Sequence, residues 1–430
     1  AFDTTNEFAR LATAELQLLS NDNTPGVESL QWVTGLYYLR SRAGFDPAHL
    51  TAAPGALDAA LAIAGVTLPD GLQDLFDSAP LVNTPLGQNG AYLALRGVME
   101  TRSYSAYAQG TYFFNEQFDL TLGGRLQREK RYLIESSTGA VTPGLNDEVT
   151  LLDFDLPPAE TSENFSPKAV FSFHPRDNAL LYASYSIGYK SGTYNIINIY
   201  TPPNYIVPEK VTTAELGAKV DFFGGLLRIN GAIFNNEIDN LQSGFVSVQS
   251  GGAVRFVTAG SARTRGVEID GTWMPMPELN PGLAITGNAA YVDAEYTEFK
   301  NGSGFLEGSG IYNANLDFSG NEIVRAPEVS GGVAVVQSIE LGSGSLELAA
   351  DTYYNSGFFY DPLNTVEEDA YQLVNARVSY LYDPWKLRIT VFGKNVLDER
   401  YHFQQFQTDF GVTKTLAAPR EYGLRLNWDF

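Results

Sequence analysis

The chain has 430 residues, 44% of them apolar, and carries a formal net charge of −22. That apolar fraction excludes a disordered chain, and the charge excludes nucleic acid as a partner, because phosphate binding needs a cationic face. The absence of cysteine excludes disulfides and thiolate metal sites, and no apolar run approaches the ~18 residues of a membrane-spanning helix.

Aromatic residues make up 13% of the chain, with 24 Tyr and 26 Phe, a bias that suits β-strands. A mean hydropathy of −0.13 is compatible with a closed membrane barrel, whose apolar face is averaged away by alternation. The chain opens AFDTTNEFAR, with no initiating Met, basic n-region or apolar h-region. An exported protein needs such a signal, so either it has been removed or the chain is a fragment.

In chain order, the dominant period is two. Phe118, Leu120, Leu122 and Leu126 alternate with Asp119, Thr121, Arg125 and Gln127. Leu181, Ala183, Tyr185 and Ile187 alternate with Tyr182, Ser184 and Ser186, followed by Lys190. Ala214, Leu216, Ala218, Val220 and Phe222 alternate with Thr213, Glu215, Gly217, Lys219 and Asp221. Trp385, Leu387, Ile389 and Val391 alternate with Lys386, Arg388, Thr390 and Phe392. Last, Tyr422, Leu424, Leu426, Trp428 and Phe430 alternate with Gly423, Arg425, Asn427 and Asp429. Charges on the second face would be costly in a dry core and are at home in a hydrated lumen.

The pattern predicts about fifteen strands, many near the ~9–11 residues that a tilted strand needs to cross a bilayer. Short connections fall near Asn21–Ser29, Asn115–Gln117, His174–Asn178, Phe223–Gly225, Pro275–Pro281, Leu341–Ser343 and Asp383–Pro384. Long ones fall near Ser41–Arg102, Glu135–Thr161, Tyr194–Lys210, Ser247–Gly260, Lys300–Ile323, Phe359–Asp369 and Glu399–Pro419. Alternation of short periplasmic turns with long extracellular loops is the rule for outer-membrane barrels and has no reason in a soluble sandwich. The expected fold is therefore all-β, an antiparallel transmembrane β-barrel spanning residues 1–430. Its long extracellular loop at 41–102 contains an Ala/Leu-rich run, Leu57–Val66, with the length of a short helix.

No catalytic constellation is present. His49, His174 and His402 are far apart, and no HExxH, GxSxG, CxxC or P-loop text occurs; no enzyme, cofactor or metal site is expected. Glu367, Glu368 and Asp369 read as a solvated loop charge run more readily than as oxygen ligands for a cation. Arg263 and Arg265 share one strand face and Glu268 the other. They are expected in lumen-wall ion pairs or at the strand's outer end rather than in substrate contact. In the loop Tyr194–Lys210, Tyr194, Tyr200 and Tyr205 flank the stiff pair Pro202 and Pro203. Exposed aromatics held by prolines make a ligand platform; a packed loop tip or interfacial girdle is the alternative.

Several blocks, in order and over nearly the whole chain, resemble the TonB-dependent outer-membrane receptor family. They are ELQLLSND, LQWVTGLYY, FDLTLGGRLQREKR, NFSPKAVFSFHPRDNALLYASYSIGYKSGTYN, PEKVTTAELGAKVDFFGGLLRINGAIFNNEIDNLQ, TAGSARTRGVEIDGTWMPMP, GNEIVRAPEVSGG, VFGKNVLDERY and APREYGLRLNWDF. Each block alone is weak, and their joint order is specific.

The resemblance implies an outer-membrane location in a Gram-negative bacterium and TonB-dependent uptake of an iron–siderophore complex or similar bulky solute. It implies the TonB complex, the barrel-assembly machinery and outer-membrane lipid as partners. The assembly machinery would read the terminal strand through Tyr422, Trp428 and Phe430. The family's barrel has about 22 strands around an N-terminal plug. Nothing here resembles the plug, and the strand count is about seven short, so the chain is expected to be the C-terminal portion of such a barrel. The alternatives are a passive porin or structural barrel, and a soluble all-β binding protein.

Overall fold

The computed structural model describes residues 2–3, 6–50, 92–141, 148–199, 201–247, 252–306, 310–408 and 411–428. Its body is one antiparallel sheet of seventeen strands, two of them short additions at Phe2–Asp3 and Glu148–Asp153. The other fifteen form the wall. The first five are β1 (Glu7–Leu19), β2 (Leu30–Leu50), β3 (Tyr92–Phe113), β4 (Phe118–Val141) and β5 (Glu160–Arg176). Then come β6 (Ala179–Lys190), β7 (Glu209–Phe222), β8 (Leu227–Asp239), β9 (Ser261–Trp273) and β10 (Leu283–Glu298). The last are β11 (Val329–Glu340), β12 (Gly344–Asn355), β13 (Tyr371–Tyr382), β14 (Leu387–Lys394) and β15 (Glu421–Trp428). Each pairs with the next in the chain, and among the described residues no pairing joins β1 to β15.

Period-two patterning puts one set of side chains outward. Leu36, Leu126, Leu216, Ile269, Leu424 and Leu426 remain 50–64% exposed. A belt of large apolar side chains of this extent is stable only against lipid. The opposite face is polar and internally paired. The Tyr182 hydroxyl donates to Glu215 at 2.6 Å, Arg228 donates to Asp221 at 2.6 Å, and Arg377 donates to Glu347 at 3.1 Å. Such pairs belong in a hydrated lumen.

Aromatic residues mark both edges of the outward belt. Near the short turns stand Phe114, Phe223, Trp273, Trp385 and Trp428; toward the other end stand Tyr38, Tyr104, Tyr185, Tyr291 and Tyr422. On β3 the two edges are Tyr112 and Tyr104. That stretch of strand is about 27 Å long, or roughly 20 Å in height at a 40° tilt, near the ~25 Å apolar band of membrane barrels.

The two ends of the wall differ. One end has tight turns. In the 3-10 turn Phe223–Gly225, Gly224 (φ +67) and Gly225 (φ +91) take conformations that a side chain disfavours. At the other end the long connections carry hairpins of their own. These are Thr193–Tyr194 with Tyr205–Ile206, Gln242–Ser247 with Gly252–Thr258, and Gly302–Phe305 with Tyr312–Leu316. Two more are Phe358–Phe359 with Glu367–Glu368, and His402–Thr408 with Gly411–Leu416.

The structure narrows two of the expected loops. β2 and β3 stay paired from Leu30↔Tyr112 out to Leu50↔Leu93, and β4 continues to Val141 with Glu148–Asp153 added to it. The extension is held because Ala48, Leu93, Leu95 and Val98 are buried, so pairing beyond the bilayer still gains apolar burial. The run Leu57–Val66 lies outside the described residues.

Candidate ligand-binding end of the barrel

The end with the hairpins is a set of loops fastened to one another by a few buried polar groups. Tyr194 is 2% exposed, its hydroxyl donating to the Pro158 carbonyl at 2.7 Å, and its ring meets that of Tyr205 at 5.1 Å. Burial raises the hydroxyl pKa of both tyrosines. Tyr194 thus sits as a packed loop residue, Tyr205 is half-buried beside it, and Tyr200 lies outside the described residues.

The neighbouring Asn195 joins this loop to the next hairpin. Its Nδ2 donates to the Phe256 carbonyl at 3.0 Å while its Oδ1 accepts from the Phe256 amide at 2.7 Å. The same loop rests directly on the wall at Gly97, where a Cβ would meet the backbone of Ile196. Glycine there permits the close approach.

Below these loops part of the lumen rim is a hydrogen-bonded network. Glu129, buried, accepts from Arg131 Nε at 2.7 Å and Ser191 Oγ at 3.1 Å. Glu209 accepts from the Gln242 amide at 3.0 Å and stands 3.5 Å from Lys190. The Gln242 side chain donates to the carbonyls of Ser191 and Val207. Each buried acceptor has its donor, so the loop bases are held in one arrangement.

The acidic stretch Glu367–Asp369 is not a uniformly solvated run. Glu368 is 4% exposed and accepts from the His402 amide at 2.9 Å and from Gln405 Nε2 at 3.0 Å. It also stands 3.1 Å from His402 Nδ1, and the Tyr360 hydroxyl lies 3.3 Å away. Burial and this carboxylate push the Tyr360 pKa up to about 12. The departure has a simple cause: four polar groups from two distant segments supply what water would have supplied. Among the described residues no group of three or more His, Asp or Glu is placed to hold a metal ion.

Aromatic side chains that sequence reasoning did not single out meet between loops. Phe245 and Tyr312 stack with ring centroids 6.4 Å apart, Phe305 packs edge-on to Tyr312 at 6.0 Å, and Arg325 lies 5.3 Å from the Tyr360 ring. Beneath them Tyr296, Phe299 and Phe318 form a closed apolar core with Ala259 and Ala262. Only the alternation of apolar and small residues in these loops hinted at this, because Phe245 meets Tyr312, and Arg325 meets Tyr360, from a different segment of the chain.

The pairs at Arg263 and Arg265 are at the strand's outer end. They bind Glu295 and Asp293 on the outward face, with Nη2–Oδ2 at 2.7 Å in the second, while Glu268 lies on the lumen face. In the terminal strand Tyr422 and Trp428 face outward and are 69% and 65% exposed; Phe430 lies outside the described residues.

Residues 4–396 match the family described as TonB dependent receptor-like, beta-barrel. The chain belongs to that family. It is a family of transport receptors rather than enzymes. A curated relative, the probable TonB-dependent siderophore receptor PiuA of Acinetobacter baumannii, is 23% identical over 316 residues, covering 71% of this chain and 37% of the relative. Among solved structures, the ferric yersiniabactin uptake receptor FyuA from Yersinia pestis aligns over 99% of this chain and 54% of its own, with a TM-score of 0.72 at 18% identity. The PiuA structure from Acinetobacter baumannii aligns over 98% and 56%, with a TM-score of 0.66 at 19% identity. The chain therefore spans little more than half of the solved receptors and about a third of the curated relative. At these identities the structural likeness concerns the fold.

Proposed function

We propose that this receptor barrel, in the outer membrane of a Gram-negative bacterium, imports a ferric siderophore or similar bulky chelate, driven by the TonB complex. The long-loop end faces outside, following the rule that membrane barrels keep short turns toward the periplasm. The observation that carries the reading is the loop end itself. Buried hubs at Asn195, Glu209 and Glu368 fasten successive loops into a preformed surface. A passive pore has no need of such fastening, whereas a binder lowers its ordering cost by it.

The ligand meets aromatic and cationic groups on that surface. Tyr205, with Tyr194 packed against it, makes one part, Phe245 stacked on Tyr312 makes another, and Arg325 beside the Tyr360 ring supplies a positive charge; Tyr200 belongs to the same loop by sequence alone. These are flat apolar faces and a guanidinium, suited to an anionic, planar chelate. No covalent chemistry is involved. The outward aromatics Tyr422 and Trp428, with Phe430, serve recognition by the barrel-assembly machinery.

The test is uptake of radiolabelled iron, supplied as a panel of ferric siderophores, by cells expressing the full-length protein with and without TonB. Uptake of at least one complex that is abolished by loss of TonB is expected. Equal, non-saturable entry of small solutes irrespective of TonB would replace this reading with a passive pore.

A further inference from the structure

On the outward face of β2, β3 and β4, just beyond the aromatic edge, Arg40, Arg102 and Lys130 stand opposite one another in a single cross-strand row. The next row outward sets Arg10 opposite Arg42, followed by Glu100 and Tyr132. The row toward the membrane runs Tyr38, Tyr104, Arg128, Glu163. All share the parity of the lipid-facing Leu36 and Leu126, hence the same face. With strands ~4.8 Å apart, the backbones of the first three cations fall within about 10 Å.

Like charges directly opposed across a sheet destabilise it. In the other strand-to-strand registers of the wall no two like charges face each other, and the one like-charged bridge outside them, Glu295 to Glu322, has Arg263 on Glu295. Arg263 opposes Glu295, Arg265 opposes Asp293, Lys210 opposes Asp239, and Asp221 opposes Arg228. In the cationic rows, Glu100 is buried under Arg40 at 2.9 Å and Arg102 at 2.6 Å, and Glu163 lies 3.4 Å from Arg128. Among the described residues, that leaves Arg10, Arg42 and Lys130 with no carboxylate in ion-pair range, Lys130 lying 5.0 Å from the Tyr132 ring. Farther from the membrane, Arg96 is enclosed by Asp46, Glu135 and Glu148. The positive excess is therefore confined to the membrane edge, on a chain whose net charge is −22.

Directly beside this patch, a concave apolar groove of about 790 Å³ crosses β1 to β5. It is floored by Ala14 and Ala106 and walled by Leu16, Leu36, Leu126 and Phe165. The rings of Tyr38 and Tyr104, 5.0 Å apart, form its lip toward the cations. A site with apolar floor, aromatic lip and unneutralised cations matches an amphiphile with an anionic head.

We propose that this face binds a phosphorylated lipid of the outer leaflet. Its phosphates lie among Arg40, Arg42, Arg102 and Lys130, and its acyl chains lie in the groove. The proposal rests on the outward placement of the long loops given above. The phosphates relieve the repulsion in the row, and the chains exclude water from the groove.

The experiment uses the full-length protein in neutral detergent, titrated with diphosphoryl lipid A, its dephosphorylated form, or inorganic phosphate. Binding is read by native mass spectrometry and by the shift in unfolding temperature. The double variant Arg42→Gln/Lys130→Gln leaves both partners of the buried Glu100 in place, and heat-modifiable gel mobility reports whether it folds. Loss of two cations near a membrane surface is expected to weaken binding of the diphosphoryl lipid on the order of thirtyfold. The wild type should bind the dephosphorylated lipid equally weakly, and Arg263→Gln/Arg265→Gln should bind like wild type. Undiminished binding in a folded Arg42→Gln/Lys130→Gln variant would overturn the proposal. So would equal affinity for phosphorylated and dephosphorylated lipid, or stabilisation by inorganic phosphate as large as that by the lipid. Binding in detergent requires no import, so this result and the uptake result fail independently.

Discussion

The wall and the loop end of this barrel are held by different means. In the wall, each residue's surroundings follow from parity along the strand. Leu216 faces outward, its neighbour Glu215 faces the lumen, and a continuous cross-strand ladder on both sides shares the burden. At the loop end, single buried side chains such as Asn195 and Glu368 each tie together segments from different parts of the chain. A wall built on repetition tolerates the loss of one lumen contact. A loop end built on hubs does not.

That contrast is sharpened most by Glu368→Ala. The variant leaves the His402 amide without its acceptor and Gln405 Nε2 with only the Glu367 carbonyl, a local cost of about 1–3 kcal/mol for each hydrogen bond left unmade. Hydrogen exchange should quicken across His402–Leu416 while the wall strands stay protected. Uniform exchange throughout would break the distinction between the two regions.

Next in size is Leu216→Arg, a charge moved into the lipid belt. Guanidinium unfolding in micelles should show a loss of about 2–4 kcal/mol. The adjacent Glu215→Gln, on the wet face, should change stability by less than about 1 kcal/mol. Similar losses at both positions would mean that the two faces are equivalent.

Asn195→Ala removes a paired amide contact to Phe256 and should cost about 1–2 kcal/mol, read as protease nicking in the Gln242–Thr258 hairpin. The smallest effect has the opposite sign. Lys130→Gln relieves its direct opposition to Arg102 and should stabilise the lipid-free protein by about 0.2–1 kcal/mol. Arg265→Gln, which breaks an exposed pair with Asp293, should destabilise by no more than about 1 kcal/mol.

What was legible in the sequence follows the same division. Alternation from Phe118 to Gln127 or from Tyr422 to Trp428 reports a residue's face directly, so the strands, their turns and the two sides of the wall could be read. Strand ends beyond the bilayer could not. Leu93 and Val98 keep β2 and β3 paired because other segments bury them.

The loop end was hidden for a related reason. Glu368 reads as part of an acidic run until His402 and Gln405 fold over it. Tyr194 reads equally as exposed or as packed in a loop tip until Pro158 takes its hydroxyl. Aromatic enrichment in the loops was visible, but which rings would meet was not, since Phe245 and Tyr312 belong to separate hairpins. Likewise Arg40, Arg102 and Lys130 are scattered along the chain, and only the cross-strand register makes them a row.

Every functional reading depends on which face of the wall meets lipid. The direct measurement places a fluorescent probe in turn at positions 424, 425, 426 and 427 of β15, in the full-length protein reconstituted in bilayers, and quenches it with spin-labelled lipid. Strong quenching at Leu424 and Leu426, with weak quenching at Arg425 and Asn427, is the expected result. Strong quenching at 425 and 427 instead, or none at all four, would contradict a lipid-facing apolar surface.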